Sequence, residues 1–328
     1  MSTQQPKVIN WGIIGLGKIA NKFAQDLLKV ENTQLYAVAS RSQDKANDFA
    51  HTYNAIKAYD AYDTLAKDPN VDAVYIASPH VFHNEHTILC LNHKKAVLCE
   101  KPFAMNLSEV DEMVSTAKAN NTLLMEAIWT YFLPNYQFVL QHIKAGTFGK
   151  ILKIEADFGF KATLDLSSRL YNKSLGGGSL LDIGIYPIFA ALSTLGEPIH
   201  IESKATFFET DVDSSCLMLF TYGNDVEAHL KSTLIENTPT EALFYCEHGT
   251  LKINSCFNGP SSVTLISEEK EETIEFDCET NGFSFEILHF NELIRNHKTE
   301  SDVMTFDFSR KLMTLLDTVR TQISLKYE

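Results

Sequence analysis

Positive charge is scarce in this 328-residue chain: 28 Lys and Arg stand against 42 Asp and Glu, a formal net charge of -14. Nucleic acid and anionic membrane surfaces both demand a concentrated basic face, so neither is expected as a partner. No uninterrupted apolar run reaches the ~18 residues of a membrane-spanning helix, and no membrane role is expected. The stretch 1–7 has neither the apolar core of a secretory signal nor the Arg-rich character of a transit peptide, so export is not expected either. The six cysteines, Cys90, Cys99, Cys216, Cys246, Cys256 and Cys278, contain no C-x-x-C pair. They read as reduced core thiols of a cytoplasmic protein. Internal repeats, low-complexity tracts and long linkers are also missing, which leaves two closely packed domains as the expectation for this length.

What is present falls into two patterns. From residue 7 to about 126, short apolar β-rich runs (9–14, 34–39, 73–77, 96–99, 122–126) alternate with helical stretches (19–30, 43–53, 85–92, 108–120). That alternation predicts βαβ units on a doubly wound parallel sheet, with Ser108 as a helix-capping side chain. Beyond it come helices near 135–144 and 180–195, then alternating runs at 199–208, 214–222, 226–235 and 243–253, and closing helices near 283–296 and 306–323. Val226, Ala228, Leu230 and Leu234 separate from Glu227, His229, Lys231 and Thr233, the pattern of an antiparallel sheet covered on one face. The fold class is therefore α/β: a Rossmann-type domain over 1–126, then an α+β domain over 127–328 with a large, mainly antiparallel sheet. The last helix is expected to pack back on the first domain.

Directly after the first strand stands Gly15-Leu16-Gly17-Lys18-Ile19-Ala20. Glycines there permit a tight turn and close backbone approach, Ala20 lets helix and strand pack, and the free N–H groups at the helix start suit a pyrophosphate. With a strand before, a helix after and a second strand about 20 residues on, the motif reads as a dinucleotide site. An NAD site usually ends its second strand in Asp or Glu, whereas this chain has Ser40-Arg41-Ser42. Two hydroxyls and a guanidinium suit a 2'-phosphate, so NADP is expected over NAD; otherwise Arg41 is a solvated helix-start residue. Glu100-Lys101-Pro102 follows another strand at its carboxyl end, where Lys101 either orients a ligand or is simply exposed.

Those motifs, with Ser78-Pro79-His80, His83 and the run Gly176-Gly177-Gly178-Ser179-Leu180-Leu181-Asp182-Ile183-Gly184-Ile185-Tyr186, make the chain resemble the Gfo/Idh/MocA oxidoreductase family over essentially its whole length. Glu126-Ala127-Ile128-Trp129-Thr130 and Tyr186 look most like its branch of dimeric dihydrodiol dehydrogenase and NADP-dependent D-xylose 1-dehydrogenase. The resemblance implies an open-faced sheet that makes a homodimer. It implies Lys101, Asp182 and Tyr186 as catalytic residues, and Ser78, Pro79, His80, His83 and Glu100 beside the cofactor. Tyrosine at 186 replaces the histidine of many members, and Tyr131 stands where relatives commonly have arginine, so the substrate does not carry over.

Asp182 and Tyr186, four apart on a helix, share a face and can meet one ligand; otherwise they are a dipole-favoured Asp beside a buried aromatic. A free tyrosine titrates near ~10, and Lys101 with the nicotinamide ring would favour its phenolate. Trp129, Tyr131 and Arg169 are candidate substrate contacts, with core packing or a surface loop as the alternatives. His80, His83 and His86 are spaced three apart but lack an H-E-x-x-H arrangement, and no metal is expected. Three functions compete: an NADP(H)-dependent oxidoreductase acting on a vicinal diol, sugar or related carbonyl; an NAD-assisted glycosidase; and a catalytically silent dinucleotide sensor. An acid/base set is superfluous in a sensor, which favours an enzyme.

Overall fold

A computed structural model describes residues 7–163, 165, 166 and 168–327; the N-terminal segment before Lys7, with its reading on export, lies outside them. The chain divides into two compact units. One comprises Met1–Trp129 and Glu279–Arg310, the other Thr130–Cys278 and Lys311–Glu328. The first unit thus runs to Trp129 and takes in the later segment Glu279–Arg310, which includes the start of the last helix.

In the first unit the chain runs β1 (Ile9–Ile14), α1 (Lys18–Leu27), β2 (Thr33–Ala39), α2 (Gln43–Tyr53), β3 (Lys57–Tyr59), α3 (Tyr62–Lys67), β4 (Ala73–Ile76), α4 (His83–Asn92), β5 (Ala96–Glu100), α5 (Leu107–Asn120) and β6 (Leu124–Ala127). The strands form one parallel sheet in the order β3-β2-β1-β4-β5-β6. Every residue of β4, β5 and β6 is buried, Glu100 and Glu126 included, as mainly apolar runs require in a sheet covered on both faces. On α1 the stripe Ala20, Phe23, Ala24 and Leu27 follows the helical period and faces the core. The strand order reverses between β1 and β4, whose carboxyl ends therefore flank a ligand crevice of the doubly wound type. Two details depart from the sequence reading. Asn106, not Ser108, caps α5, its Oδ1 accepting the Glu109 N–H at 3.0 Å; β3 and α3, three and six residues long, are too short for their periods to register.

The returning segment carries α8 (Phe283–Arg295). It completes two buried polar groups: Asp26 on α1 accepts the Asn281 and Phe283 N–H groups at 2.9 and 2.8 Å, and Asn291 accepts the Trp11 indole N–H at 3.1 Å.

The second unit contains α6 (Pro134–Ala145), β7 (Ile151–Gly159), a π-helical turn (Leu180–Gly184) leading into α7 (Ile185–Leu195), and strands β8 (His200–Phe207), β9 (Asp213–Thr221), β10 (Glu227–Thr233), β11 (Ala242–Cys246), β12 (Gly249–Ile253), β13 (Val263–Ile266) and β14 (Glu271–Ile274). Its eight strands take the order β14-β13-β12-β11-β7-β10-β9-β8. All pairs are antiparallel except β7 with β10. The run 243–253, a single strand by pattern, is the hairpin β11–β12. The last helix, α9 (Phe306–Gln322), begins in the first unit and ends in the second. One described stretch, Lys173–Leu195, is long and apolar enough on average to cross a membrane, but 94% of its apolar window is buried inside the protein, where it is core.

Candidate active site

The residues singled out by sequence fall into two sets, one in each unit. In the first, the turn after β1 depends on Gly15: its φ is +89°, and a Cβ there would lie 2.5 Å from the Ser78 amide nitrogen. Only glycine lets β1 exit so close to the end of β4. Gly17, Lys18 and Ile19 lead to the surface while Ala20 is fully buried. No side chain caps the start of α1, and the space where a Gly17 side chain would stand holds nothing within 4 Å. An uncapped helix start with room before it fits the pyrophosphate of a dinucleotide.

At the end of β2, Ser40 is buried and its hydroxyl accepts the Ser42 N–H at 3.3 Å, while Arg41 is exposed. No carboxylate occupies the turn. The charge of Arg41 reaches Tyr62 and His86; burial chiefly, with that charge adding, pushes the His86 imidazole down to about 4. After β4, the Ser78 hydroxyl meets His86 Nδ1 at 2.9 Å and His80 is buried in the turn that follows Pro79. His83, fully buried, lies 2.8 Å from the carbonyl oxygens of both Ser78 and Pro102, one at each ring nitrogen. Burial outweighs those two acceptors and pushes the imidazole down to about 4, with the charges of His86 and Lys101 adding. The neutral ring donates to one carbonyl at a time. Both nitrogens face backbone, so His83 staples the β4 and β5 exits together.

Lys101 follows β5 between fixed neighbours. The Tyr75 hydroxyl donates to Glu100 Oε1, and the Lys101 N–H donates to Glu100 Oε2 at 3.2 Å. On the other side Pro102 is joined to His83, and the Phe103 N–H donates to Glu126 Oε1 at 3.1 Å. Glu126 is fully buried at the end of β6, and burial pushes its carboxyl up to about 8. It therefore stands protonated at neutral pH. Its part in holding the lysine loop is not visible in sequence, where Glu126 only opens the element Glu126-Ala127-Ile128-Trp129-Thr130. Trp129 stacks on Phe283 at 4.6 Å within the same unit. Among the described residues no group of three or more His, Cys, Asp or Glu is arranged to hold a metal ion.

The second unit holds the remaining candidates. Asp182 lies within the π turn and Tyr186 opens α7; both are buried. Asp182 Oδ1 accepts from Arg169 Nη2 at 2.7 Å, a charge-assisted bond across 13 positions that joins two residues read separately in the sequence. The Tyr186 ring packs 5.8 Å from Phe158 of β7. Tyr131 is half-buried, its ring edge-on to Phe189 at 5.1 Å, and burial raises its hydroxyl above the ordinary value.

Two family models match the chain: an oxidoreductase family with an NAD-binding Rossmann fold over residues 9–128, and a GFO/IDH/MocA C-terminal domain over residues 136–252. The chain belongs to the Gfo/Idh/MocA oxidoreductase family. It is 33% identical to trans-1,2-dihydrobenzene-1,2-diol dehydrogenase of Xenopus tropicalis, over 97% of this chain and 98% of that one. It is also 33% identical to a scyllo-inositol 2-dehydrogenase (NADP(+)) of Bacillus subtilis, over 98% of each. Among solved structures, a 3-ketoreductase from Actinomadura kijaniata in complex with NADP and TDP-benzene superposes with a TM-score of 0.87 at 27% identity, covering 97% of this chain and 98% of that one. The relatives of this Gfo/Idh/MocA protein are thus oxidoreductases matched nearly end to end.

Proposed function

We propose that the chain is an NADP(H)-dependent dehydrogenase or reductase that moves a hydride between nicotinamide and a vicinal diol, a sugar or a related carbonyl compound. The observation that carries this reading is Lys101, anchored on both sides at the carboxyl end of β5, in a unit whose α1 opens with an uncapped turn. The names of the relatives support the substrate class, and NADP in two of them supports the nucleotide. Bound nicotinamide supplies or accepts the hydride. Arg41, with the hydroxyl groups around it, holds the 2'-phosphate, and the first turn of α1 holds the pyrophosphate. Tyr186 takes the proton of the reacting hydroxyl in oxidation and returns it in reduction. Lys101 donates to the substrate oxygen. Asp182, oriented by Arg169, accepts from a substrate hydroxyl.

The same reading includes a homodimer formed through the open face of the eight-stranded sheet. Leu217 of β9 is 54% exposed there, in a groove of about 580 Å³ that Leu219 and Leu243 also line. Cys90, Cys99, Cys216, Cys246 and Cys256 are free thiols, which fits the cytoplasm. A spectrophotometric screen of vicinal diols, inositols, aldoses and their carbonyl counterparts with both nucleotides tests the activity. Turnover with NADP+ or NADPH is expected, and a complete lack of nucleotide oxidation or reduction across the panel would overturn the reading.

A further inference from the structure

The segment bearing Asp182 and Tyr186 is gripped from below by two strands of its own unit. Asp213, the first residue of β9, is fully buried. Its Oδ2 accepts the Ser179 hydroxyl at 2.6 Å and the Leu180 N–H at 2.7 Å. Burial pushes this carboxyl up to about 6, while the bonds from Ser179 and Leu180 draw it down. At neutral pH it is therefore an acceptor only. Ser179 is the residue that begins the π turn, yet its side chain makes no capping bond of its own, and Asp213 supplies that bond from another element. Ser179 Oγ also lies 2.9 Å from Ser232 Oγ on β10. At the far end of the turn a Cβ on Gly184 would come 2.9 Å from that same Ser232 Oγ. Asp213 thus fixes the start of Leu180–Gly184, and Ser232 leaves room at its end only for glycine.

Such a grip has a directional consequence. A π turn holds one residue more than an α turn, and one residue of α-helix corresponds to about 100° of rotation. Whether Leu180–Gly184 is wound as π or as α therefore decides where every later side chain points relative to Asp182. Tyr186 lies two residues beyond it. Gly178, just before the turn, has φ +108°, and any side chain there would run into the Asp213 carboxylate. The approach of the chain is matched to the carboxylate as well.

We propose that Asp213 is a positioning residue: by holding Ser179 and Leu180 it keeps the turn in its π form and so aims Tyr186 and Asp182 at one substrate. This rests on the reading of Tyr186 as the proton-exchanging group. The test is a double-mutant cycle on the full chain, with substrate turnover, substrate KM, NADPH affinity by fluorescence and thermal unfolding followed together. Asp213→Ala is expected to lower kcat at least ~10-fold, since misaiming a reacting group is felt strongly, with NADPH affinity within twofold of wild type. Asp213→Asn keeps an oxygen for both donors and restores most of kcat. In a Tyr186→Phe background Asp213→Ala has little further effect on kcat, because the two act as one unit. Should Asp213→Ala fail to fold, the cycle is run with Ser179→Ala, which removes one of the two bonds and leaves Leu180 on the carboxylate. The same fold-loss in both backgrounds, or lowered stability with normal kcat, overturns the proposal. Near-normal turnover of Tyr186→Phe alone would instead overturn the reading of Tyr186.

Discussion

Replacing Glu126 by glutamine should make the protein more stable, and increasingly so as pH rises. Glu126 is fully buried and its Oε1 accepts the Phe103 N–H. Burial raises the carboxyl from 4.5 to about 8, against hydrogen bonds from Ser309 and Phe103 that draw it down and with a smaller push from the charge of Glu100. The folded protein therefore keeps a proton that the unfolded chain releases near its ordinary value. Stability from this group is complete below about pH 4.5 and is lost progressively as pH climbs through about 8. At ~1.4 kcal/mol for each pH unit separating the two values, the loss is on the order of 4 to 5 kcal/mol, a large part of a typical folding free energy. Glutamine does not titrate, retains an acceptor for Phe103 and fills the same space. Scanning calorimetry of wild type and Glu126→Gln at pH 5, 7 and 8.5 should give melting temperatures that start close together and separate by roughly 10 °C at the alkaline end. Glu286, also fully buried and raised by burial, pushes both proteins in the same direction and leaves the difference between them untouched. Two curves that stay parallel across this range would mean that Glu126 is ionised in the folded state and that the argument from burial is wrong.

Arg41→Ala should weaken NADP(H) binding at least ~10-fold and leave NAD(H) nearly unchanged, since a guanidinium on the 2'-phosphate is the group lost; equal wild-type affinities in nucleotide titrations would refute this. Tyr186→Phe should cut kcat by ~10²-fold or more with NADPH affinity intact, Lys101→Met should be comparably severe, and the double variant should be little worse than the poorer single one. Steady-state kinetics decide that, and additive losses would separate the two roles. Leu217→Glu places a charge on the open sheet face and should shift a dimer to monomer in light scattering at micromolar concentration; a wild-type monomer would remove the premise.

The parallel sheet is legible in the sequence because most of its strands are short, mainly apolar runs and the longer helices repeat their apolar residues at the helical period, as Ala20, Phe23, Ala24 and Leu27 do. The glycine turn and the missing carboxylate after β2 are equally plain, being local. What stays hidden depends on distant partners. β7 does alternate, with Leu152, Ile154, Ala156 and Phe158 against Lys153, Glu155 and Asp157, but its place in the sheet beside β10 and β11 depends on strands far later in the chain. The β11–β12 hairpin turns at Glu247-His248, without the Asn-Gly or Asp-Gly pair that marks such turns. The Arg169–Asp182 pair, the Glu126 anchor and the buried Asp213 each join residues 13 to 34 positions apart, with no shared period to announce them. The two carbonyls at the His83 ring are likewise brought there only by the fold.

The return of Glu279–Arg310 to the first unit bears on how the chain is made. Asp26 waits for Asn281 and Phe283, and Trp11 for Asn291, partners some 255 to 280 residues later. A ribosome adding ~5–20 residues per second reaches them only many seconds after the six-stranded sheet has left the tunnel. Until then a carboxylate meant for burial stays wet and the Trp11–Phe23 cluster lacks Phe283 and Phe290. The nascent 1–129 segment is thus left incomplete as a folding unit, open to chaperones and proteases, and a truncated chain ending at Trp129 should behave the same way: collapsed, protease-sensitive and without a sharp melting transition.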